Sequence, residues 1–261
     1  MNLNDGGLYR YIESLNLGET YNSVFFLAFT LVIIVASYLL GSINSAIIFS
    51  KLVYHDDVRK HGSGNPGLTN MLRTFGMGAA GLTLVGDVMK TALSIIIAGI
   101  LFGFNYVGGV SAGLGLCYIA GMFAVIGHIA PVYYKFKGGK GVLSTAAMVA
   151  ILAPIPFLIL ISIFIAIVAT SKYVSLGSVV SAILYPVILH GYFTVVFGAG
   201  FTPGLASLSA ILIAILVVYC HRGNLQRISD RTERKISFKK KVKEEAPEES
   251  SDSEESDEDE M

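Results

Sequence analysis

The segment VLSTAAMVAILAPIPFLILISIFIAIVAT, residues 142–170, carries no charged side chain and decides how often the chain crosses a membrane. A single helix of this length would rise about 44 Å, which exceeds a hydrocarbon core of roughly 30 Å. Pro154 and Pro156 interrupt the segment near its middle, and a proline at such a place breaks or kinks a helix. We therefore predict two short helices, 142–152 and 155–170, of which the first need not cross completely.

Charges on either side of this segment indicate its topology. Lys140 precedes it and Lys172 follows it, and basic residues favour the cytoplasmic face of a membrane. Both ends then lie in the cytoplasm, so the segment crosses an even number of times. Each of the other long apolar stretches predicts one further span, because a crossing helix needs about 20 mostly apolar residues. These stretches are residues 24–50, 79–102, 106–132, 174–192 and 204–220.

Together these segments predict an all-α integral membrane protein with seven transmembrane helices. The turns near residues 103–109, 153–155 and 192–203 carry no Lys or Arg. They therefore lie opposite the cytoplasm, which puts the N-terminus outside and the C-terminus in the cytoplasm. A mean hydropathy of +0.65 is typical of a multi-pass protein.

Composition divides the chain into three parts. Residues 1–23 are mixed and polar and predict an extracytoplasmic extension, whereas residues 24–236 form the membrane domain. Residues 237–261 begin with lysines and end in an acidic run, and residues 244–261 alone hold 11 of the 19 acidic residues. Such a segment lacks the apolar surface that folding requires, so we predict a disordered cytoplasmic tail.

Two polar loops suggest an anion site. The first, RKHGSGNPGLTNMLRTFG at residues 59–76, combines glycine turns that free backbone N–H groups with hydroxyl, amide and guanidinium donors, a set that suits phosphate. Taken alone, this loop fits a solvated connection between two spans equally well. The second, KFKGGKG at residues 135–141, repeats glycine beside lysine and favours one shared site.

The predicted topology brings further polar residues to the same face. Ser175 opens one span, and His221 and Asn224 follow the last one. A site at such junctions meets both water and acyl chains, which suits an enzyme that joins a phosphorylated molecule to a lipid chain. No Walker A motif is present, because GGKG is followed by Val142 instead of Ser or Thr. The histidines lack partners at ligand spacing, so we expect no metal and no other cofactor.

Among the ionisable residues within predicted spans, Asp87, Lys90 and His128 require an interpretation. Charges inside a membrane usually mark function, but Asp87 and Lys90 are three positions apart on one helix face, and we favour structural pairing. His128 stands near the end of its span. We interpret it as a helix-end residue that bonds loop carbonyls and not as a catalyst.

Six short motifs follow one another along the membrane domain: GSINS at 41–45, HGSGNPGLTNMLRTFG at 61–76, GDVMK at 86–90, GHIAPVYYKFKGGKGV at 127–142, YVSL at 173–176 and HRGN at 221–224. Together they resemble the acyl-phosphate:glycerol-3-phosphate acyltransferases of the PlsY type, over about residues 36–236. The resemblance implies an enzyme that transfers a fatty acyl group from acyl phosphate to the 1-hydroxyl of glycerol 3-phosphate. Lysophosphatidic acid and phosphate are the implied products, without nucleotide, acyl carrier or metal.

The resemblance also implies roles for single residues. The catalytic candidates are His221, Asn224, Lys140 and Ser63. The candidates for binding the substrate phosphates are Ser63, Asn65, Thr69, Arg73, Gly138, Gly139, Lys140, Gly141 and Ser175.

Acyl phosphate is already activated, so we expect direct attack by the glycerol hydroxyl without an acyl-enzyme. Two groups are candidates for accepting the proton of the glycerol hydroxyl. One is His221, whose side chain suits general base work. The other is a phosphate oxygen of the donor, which we favour, with His221 then positioning the hydroxyl.

These expectations place the protein in a bacterial plasma membrane as a monomer, with its active site on the cytoplasmic side. Its partners would be acyl phosphate, glycerol 3-phosphate and the lipid bilayer, and we expect no nucleic acid. The alternative function is a carrier of phosphorylated solutes or lipids. Carriers usually show internal repeats and a site near the bilayer midplane, whereas this sequence shows no repeat and its polar motifs cluster at one face. An inert scaffold would leave the paired loops unexplained.

Overall fold

A computed structural model describes residues 7–104, 112–198 and 204–236. Over these residues the chain is helical and contains no strand. The helices are α1 (Gly7–Ser14), α2 (Glu19–Ser42), α3 (Ser45–Tyr54), α4 (Leu68–Phe75), α5 (Met77–Phe102), α6 (Ala112–Ile129), α7 (Val142–Leu152), α8 (Pro154–Ser171), α9 (Val174–Phe197), α10 (Gly204–Cys220) and α11 (Arg222–Ser229). Residues 1–6 and the predicted tail from 237 lie outside the described residues.

The pair α7 and α8 confirms the two short helices predicted for the central apolar segment. Only Ala153 separates them, and Pro154 occupies the first position of α8. Proline is favoured there because it lacks the N–H that a first helical turn leaves unpaired. Five helical segments of the described chain are long and apolar enough to cross a membrane, or six if α10 and α11, bent by 51°, count as one. With 11 residues, α7 falls short of that length.

Two predicted boundaries were wrong. The stretch 24–50 lies within one candidate span, Glu19–Tyr54, as predicted, but α2 begins earlier than expected, at Glu19, and the chain breaks at Ile43 and Asn44 before α3. Asn44 produces the break because its Oδ1 accepts the Ile47 N–H at 3.0 Å, the bond of an N-cap.

The other error concerns the turn predicted at residues 192–203. Helix α9 continues to Phe197, because its apolar run meets no breaking residue before Gly198, which has φ of 90°. The described part of the third predicted span, 106–132, forms α6 and ends at Ile129, and residues 105–111 lie outside the description.

Helix α6 forms the centre of the bundle and packs against α2, α5, α7 and α10. Its contact with α2 is close because two glycines remove side chains from the crossing. A Cβ at Gly41 would lie 2.2 Å from the Ala124 carbonyl oxygen, and one at Gly127 would lie 2.3 Å from that of Tyr38. Small residues at crossings are typical of membrane helices, and here Gly41 and Gly127 let α2 and α6 approach closely.

The outer surface of the bundle is apolar. Leu27, Leu158 and Val187 are each at least 60 % exposed, and these side chains belong to three different helices. Such an extensive apolar surface fits contact with lipid tails instead of water. At one end of the bundle, the α3–α4, α6–α7, α8–α9 and α10–α11 junctions meet around a single cavity.

Candidate active site

The cavity has a volume of about 590 Å³ and gathers residues that are up to 172 positions apart in sequence, from Gly62 to Arg234. Nearly all the predicted site residues line it, namely Ser63, Asn65, Thr69, Arg73, Lys140, Gly141, Ser175, His221 and Asn224. Gly138 and Gly139, which are also described, are absent from the lining.

The first polar loop is held in shape by Asn70, which is 2 % exposed. Its Oδ1 accepts the Ser63 N–H at 3.0 Å, and its Nδ2 donates to the carbonyls of Val58 at 3.1 Å and His61 at 3.0 Å. Gly62 fits beside it with φ of 59°, where a Cβ would lie 2.2 Å from that Oδ1. Asn70 therefore fixes the backbone that presents Ser63 to the cavity.

The second loop is anchored to the end of α6. The Gly138 N–H donates to the Ile129 carbonyl at 3.2 Å, and the Gly139 N–H donates to the His128 carbonyl at 3.0 Å. A Cβ on either glycine would lie 2.1 Å from an atom of His128. In this structure the two glycines let the loop pack against α6, and their substrate contacts stay a prediction.

A hydrogen-bonded network joins the second loop to the end of the bundle. Lys140 Nζ donates to Asn224 Oδ1. Asn224 Nδ2 donates to Ser175 Oγ at 3.0 Å and to Glu233 Oε1 at 2.6 Å, and Ser175 Oγ donates to the same carboxylate oxygen at 2.5 Å. Three predicted site residues therefore contact one another directly, and two of them also donate to Glu233, a residue that the sequence analysis missed.

That residue, Glu233, lies in the short segment after α11 that crosses the cavity. Arg227 Nε donates to its Oε2 at 2.7 Å. Burial alone would raise the pKa of Glu233, but hydrogen bonds from Ser175, Asn224 and Arg227 outweigh it and lower the pKa. The available signal was that Glu233, with Asp230, is one of two acidic residues in a mainly basic segment, 222–235, and this tells nothing of its partners without the fold.

Two titratable groups of the site have strongly altered acidity. Burial lowers the pKa of Lys140 to about 8, with the nearby Glu233 opposing the shift. Burial also lowers the pKa of His221 to about 4, so its imidazole is neutral at neutral pH. His221 Nδ1 lies 2.8 Å from the Val217 carbonyl oxygen. A carbonyl oxygen only accepts, so Nδ1 carries the proton and Nε2 is left as an acceptor.

Three helices begin at the cavity wall, and their first turns add backbone donors. Residues at the N-termini of α4, α7 and α9 line the cavity. At these three ends of the described structure, no capping side chain accepts a hydrogen bond from a backbone N–H. Uncapped N–H groups together with the helix dipole favour an anion at each end.

Another part of the wall, between α7, α8 and α9, is mainly apolar. Val149, Phe157, Leu160, Phe164 and Ala182 line this part. The cavity therefore has a cationic end and an apolar arm, which suits a ligand with a phosphate group at one end and a hydrocarbon chain at the other. Among the described residues no group of three or more His, Cys, Asp or Glu side chains could hold a metal ion.

Similarity to known proteins agrees with this geometry. Residues 31–231 match the family model described as glycerol-3-phosphate acyltransferase. A protein of that name from Mycoplasmopsis agalactiae is 40 % identical over 224 residues, with 78 % of this chain and 92 % of that one covered. One from Bacillus subtilis is 33 % identical, with 79 % and 97 % covered.

Two crystal structures are similar to the whole membrane part of the chain. Both are of PlsY (YgiH), an integral membrane glycerol 3-phosphate acyltransferase, in its glycerol 3-phosphate form and its lysophosphatidic acid form. The TM-scores are 0.67 and 0.65 at 30 % identity. Each alignment covers 80 % of this chain, with 96 % and 95 % of the crystallised chains.

Six ordered motifs, one cavity with a cationic end and an apolar arm, and matches along nearly the full length of these relatives all agree. The chain belongs to the glycerol-3-phosphate acyltransferase family.

Proposed function

We propose that this acyltransferase transfers a fatty acyl group from acyl phosphate to the 1-hydroxyl of glycerol 3-phosphate and releases lysophosphatidic acid and phosphate. One observation carries the proposal: a single cavity joins cationic, hydroxyl and amide side chains from distant loops to an apolar arm between α7, α8 and α9. Both substrates bear phosphate and repel each other, so a site that holds them together needs cations beside them. Arg73 and Lys140 supply those charges.

The chemistry requires orientation more than activation. The glycerol hydroxyl oxygen attacks the acyl carbonyl carbon, a new ester C–O bond forms, and the C–O bond to phosphate breaks. The hydroxyl proton leaves with the phosphate, whose oxygen accepts it. Lys140, held by Asn224, stabilises the negative charge that grows on the departing phosphate. Ser63, Asn65, Thr69 and Ser175 orient the phosphates by hydrogen bonds.

A variant of His221 distinguishes the two candidate proton acceptors, the His221 imidazole and the phosphate oxygen of the donor. A pKa near 4 makes its imidazole a weak base, since a general base works best with a pKa near the working pH. We expect His221→Ala to keep kcat/KM within about tenfold of the parent, because only a hydrogen bond to the attacking hydroxyl is lost. A loss of about 100-fold or more, with normal expression and unfolding temperature, would instead make His221 the essential base.

The site lies on the cytoplasmic side of the membrane in the arrangement that we propose, with seven spans made by α2 and α5 to α10. The cluster of basic residues at the cavity end supports this orientation. It is tested with single cysteines at Lys137 and Gly198, in a chain whose Cys117 and Cys220 are replaced by serine. An impermeant maleimide added to intact cells should label Gly198→Cys and spare Lys137→Cys until the cells are broken. The reverse pattern would invert the topology.

The assay of function uses purified protein in detergent with palmitoyl phosphate and glycerol 3-phosphate. We expect lysophosphatidic acid and phosphate in equal amounts, without added metal or nucleotide. Phosphate release without lipid product would mean hydrolysis, and tight glycerol 3-phosphate binding without either product would favour the carrier. Because one chain completes the cavity, we propose that the protein is active as a monomer. A variant that ends at residue 236 should have the same activity as the full chain, since residues 24–236 form the proposed acyltransferase domain.

A further inference from the structure

A buried charged cluster adjoins the active site and has no part in the chemistry above. Lys90 Nζ lies 2.8 Å from Asp87 Oδ1, which confirms the predicted pairing. The same nitrogen donates to the Ile43 carbonyl at 2.9 Å and lies 2.9 Å from His128 Nδ1. The side chains of Asp87, Lys90 and His128 are at most 5 % exposed. The ammonium group therefore has two hydrogen-bond acceptors, the Ile43 carbonyl and His128 Nδ1, and one carboxylate oxygen at ion-pair distance.

This arrangement determines how the His128 ring is held. An ammonium group only donates, so Nδ1 accepts and the ring proton stands on Nε2. Rotation of the ring would leave the buried ammonium with an unpaired proton, which is costly in an apolar bundle. The ring orientation is thus fixed by Lys90, which is in turn fixed by Asp87 and the Ile43 carbonyl.

The fixed ring is in contact with the loop that carries Lys140. A Cβ at Gly139 would lie 2.1 Å from His128 Nε2, so the loop backbone rests directly on the ring. The Gly139 N–H also donates to the His128 carbonyl at 3.0 Å. Lys140 is the next residue, and a shift of the ring would move its ammonium group within the cavity.

We propose that Lys90 and His128 are positioning residues for acyl transfer, and that they act through the place they give to Lys140. Asp87 completes the unit by neutralising Lys90. The proposal rests on the function proposed above, because it assigns the effect of the cluster to the phosphate-binding lysine. It assigns His128 a role beyond that of a helix-end residue.

The test is a pair of double-mutant comparisons on the full-length protein. We expect His128→Leu to lower kcat/KM about 30-fold in the parent chain. In a Lys140→Met background, His128→Leu should lower the remaining activity less than threefold, because the Lys140 ammonium group that His128 positions is already absent. Combined with Arg73→Gln it should again cost about 30-fold, since Arg73 is held by a different loop. Interacting residues give such non-additive losses and independent ones do not.

The variant His128→Asn serves as the rescue. Its Oδ1 falls near the place of Nδ1 and restores the acceptor for Lys90, so we expect more than half of the lost activity, on a logarithmic scale, to return. Equal 30-fold losses in both backgrounds, or no rescue by asparagine, would overturn the proposal. If His128→Leu does not fold, His128→Asn and His128→Gln replace it, and glutamine equal to or better than asparagine would contradict the proposal. Failure of the parent to make lysophosphatidic acid would concern the proposed function alone.

Discussion

Replacing Lys140 with methionine should lower kcat/KM for acyl transfer by about a thousandfold, the usual range for one charged donor to a reacting group. Methionine keeps the length of the side chain and removes the charge and the bond to Asn224 Oδ1. The loss should fall mainly on kcat if the lysine stabilises the departing phosphate more than the bound one. Lys137→Met is the matched control, because Lys137 belongs to the same loop and is exposed outside the cavity.

The pH dependence gives the same residue a second test. Lysine is cationic below its pKa, and the pKa of Lys140 is lowered to about 8. We expect kcat/KM, which reports on the free enzyme, to decline as pH rises above about 8. Lys140→Arg should remove this decline, since arginine stays charged, although its wider head should lower the maximal rate. An unchanged alkaline limb in the arginine variant, or a Lys140→Met loss below tenfold, would contradict the assignment.

Arg73→Gln should lower kcat/KM by about 100-fold, mainly through a higher KM for a phosphorylated substrate. The guanidinium lines the cavity, and its Nη2 donates to the Arg234 carbonyl at 3.3 Å. Partial burial and the nearby Arg234 lower the pKa of Arg73, with Glu233 acting in the opposite sense. A guanidinium binds phosphate through two parallel bonds, and a neutral amide keeps neither the charge nor this geometry.

Two further variants separate charge from geometry at this position. Arg73→Lys should recover only part of the activity, because an ammonium group is a point charge without the planar fork. Arg222→Gln is the control, since Arg222 stacks on Tyr219 outside the cavity and should leave kcat/KM unchanged. Full activity in Arg73→Lys would mean that position 73 supplies charge alone. Equal losses in Arg73→Gln and Arg222→Gln would mean that surface charge, and not a specific contact, matters.

The predicted features that the structure confirms are those that depend on a few neighbouring residues. The break between α7 and α8 follows from two prolines close together, and the start of α8 from the missing proline N–H. The interruption at Asn44 also has a local cause, the capping bond of its side chain. A hydropathy average does not reveal it, because one asparagine hardly changes the mean hydropathy of a long apolar stretch. The extension of α9 to Phe197 shows the opposite error, in which an aromatic and β-branched run was mistaken for a turn.

The amino-acid sequence alone determined the helical membrane class and the polar loops, because hydropathy and motif spacing are properties of neighbouring residues. The resemblance of its motifs to the acyltransferase family implied the nine residues that line the cavity. Only the tertiary structure decided that Glu233 binds Asn224 and Ser175, and that Lys90 fixes the ring on which the Lys140 loop rests. Lys90 and His128 are 38 positions apart and Ser175 and Glu233 are 58 apart, whereas Asn224 and Glu233 are only 9 apart. These contacts depend on how the helices cross, and crossing is set by the summed packing of the whole bundle, which no single segment encodes.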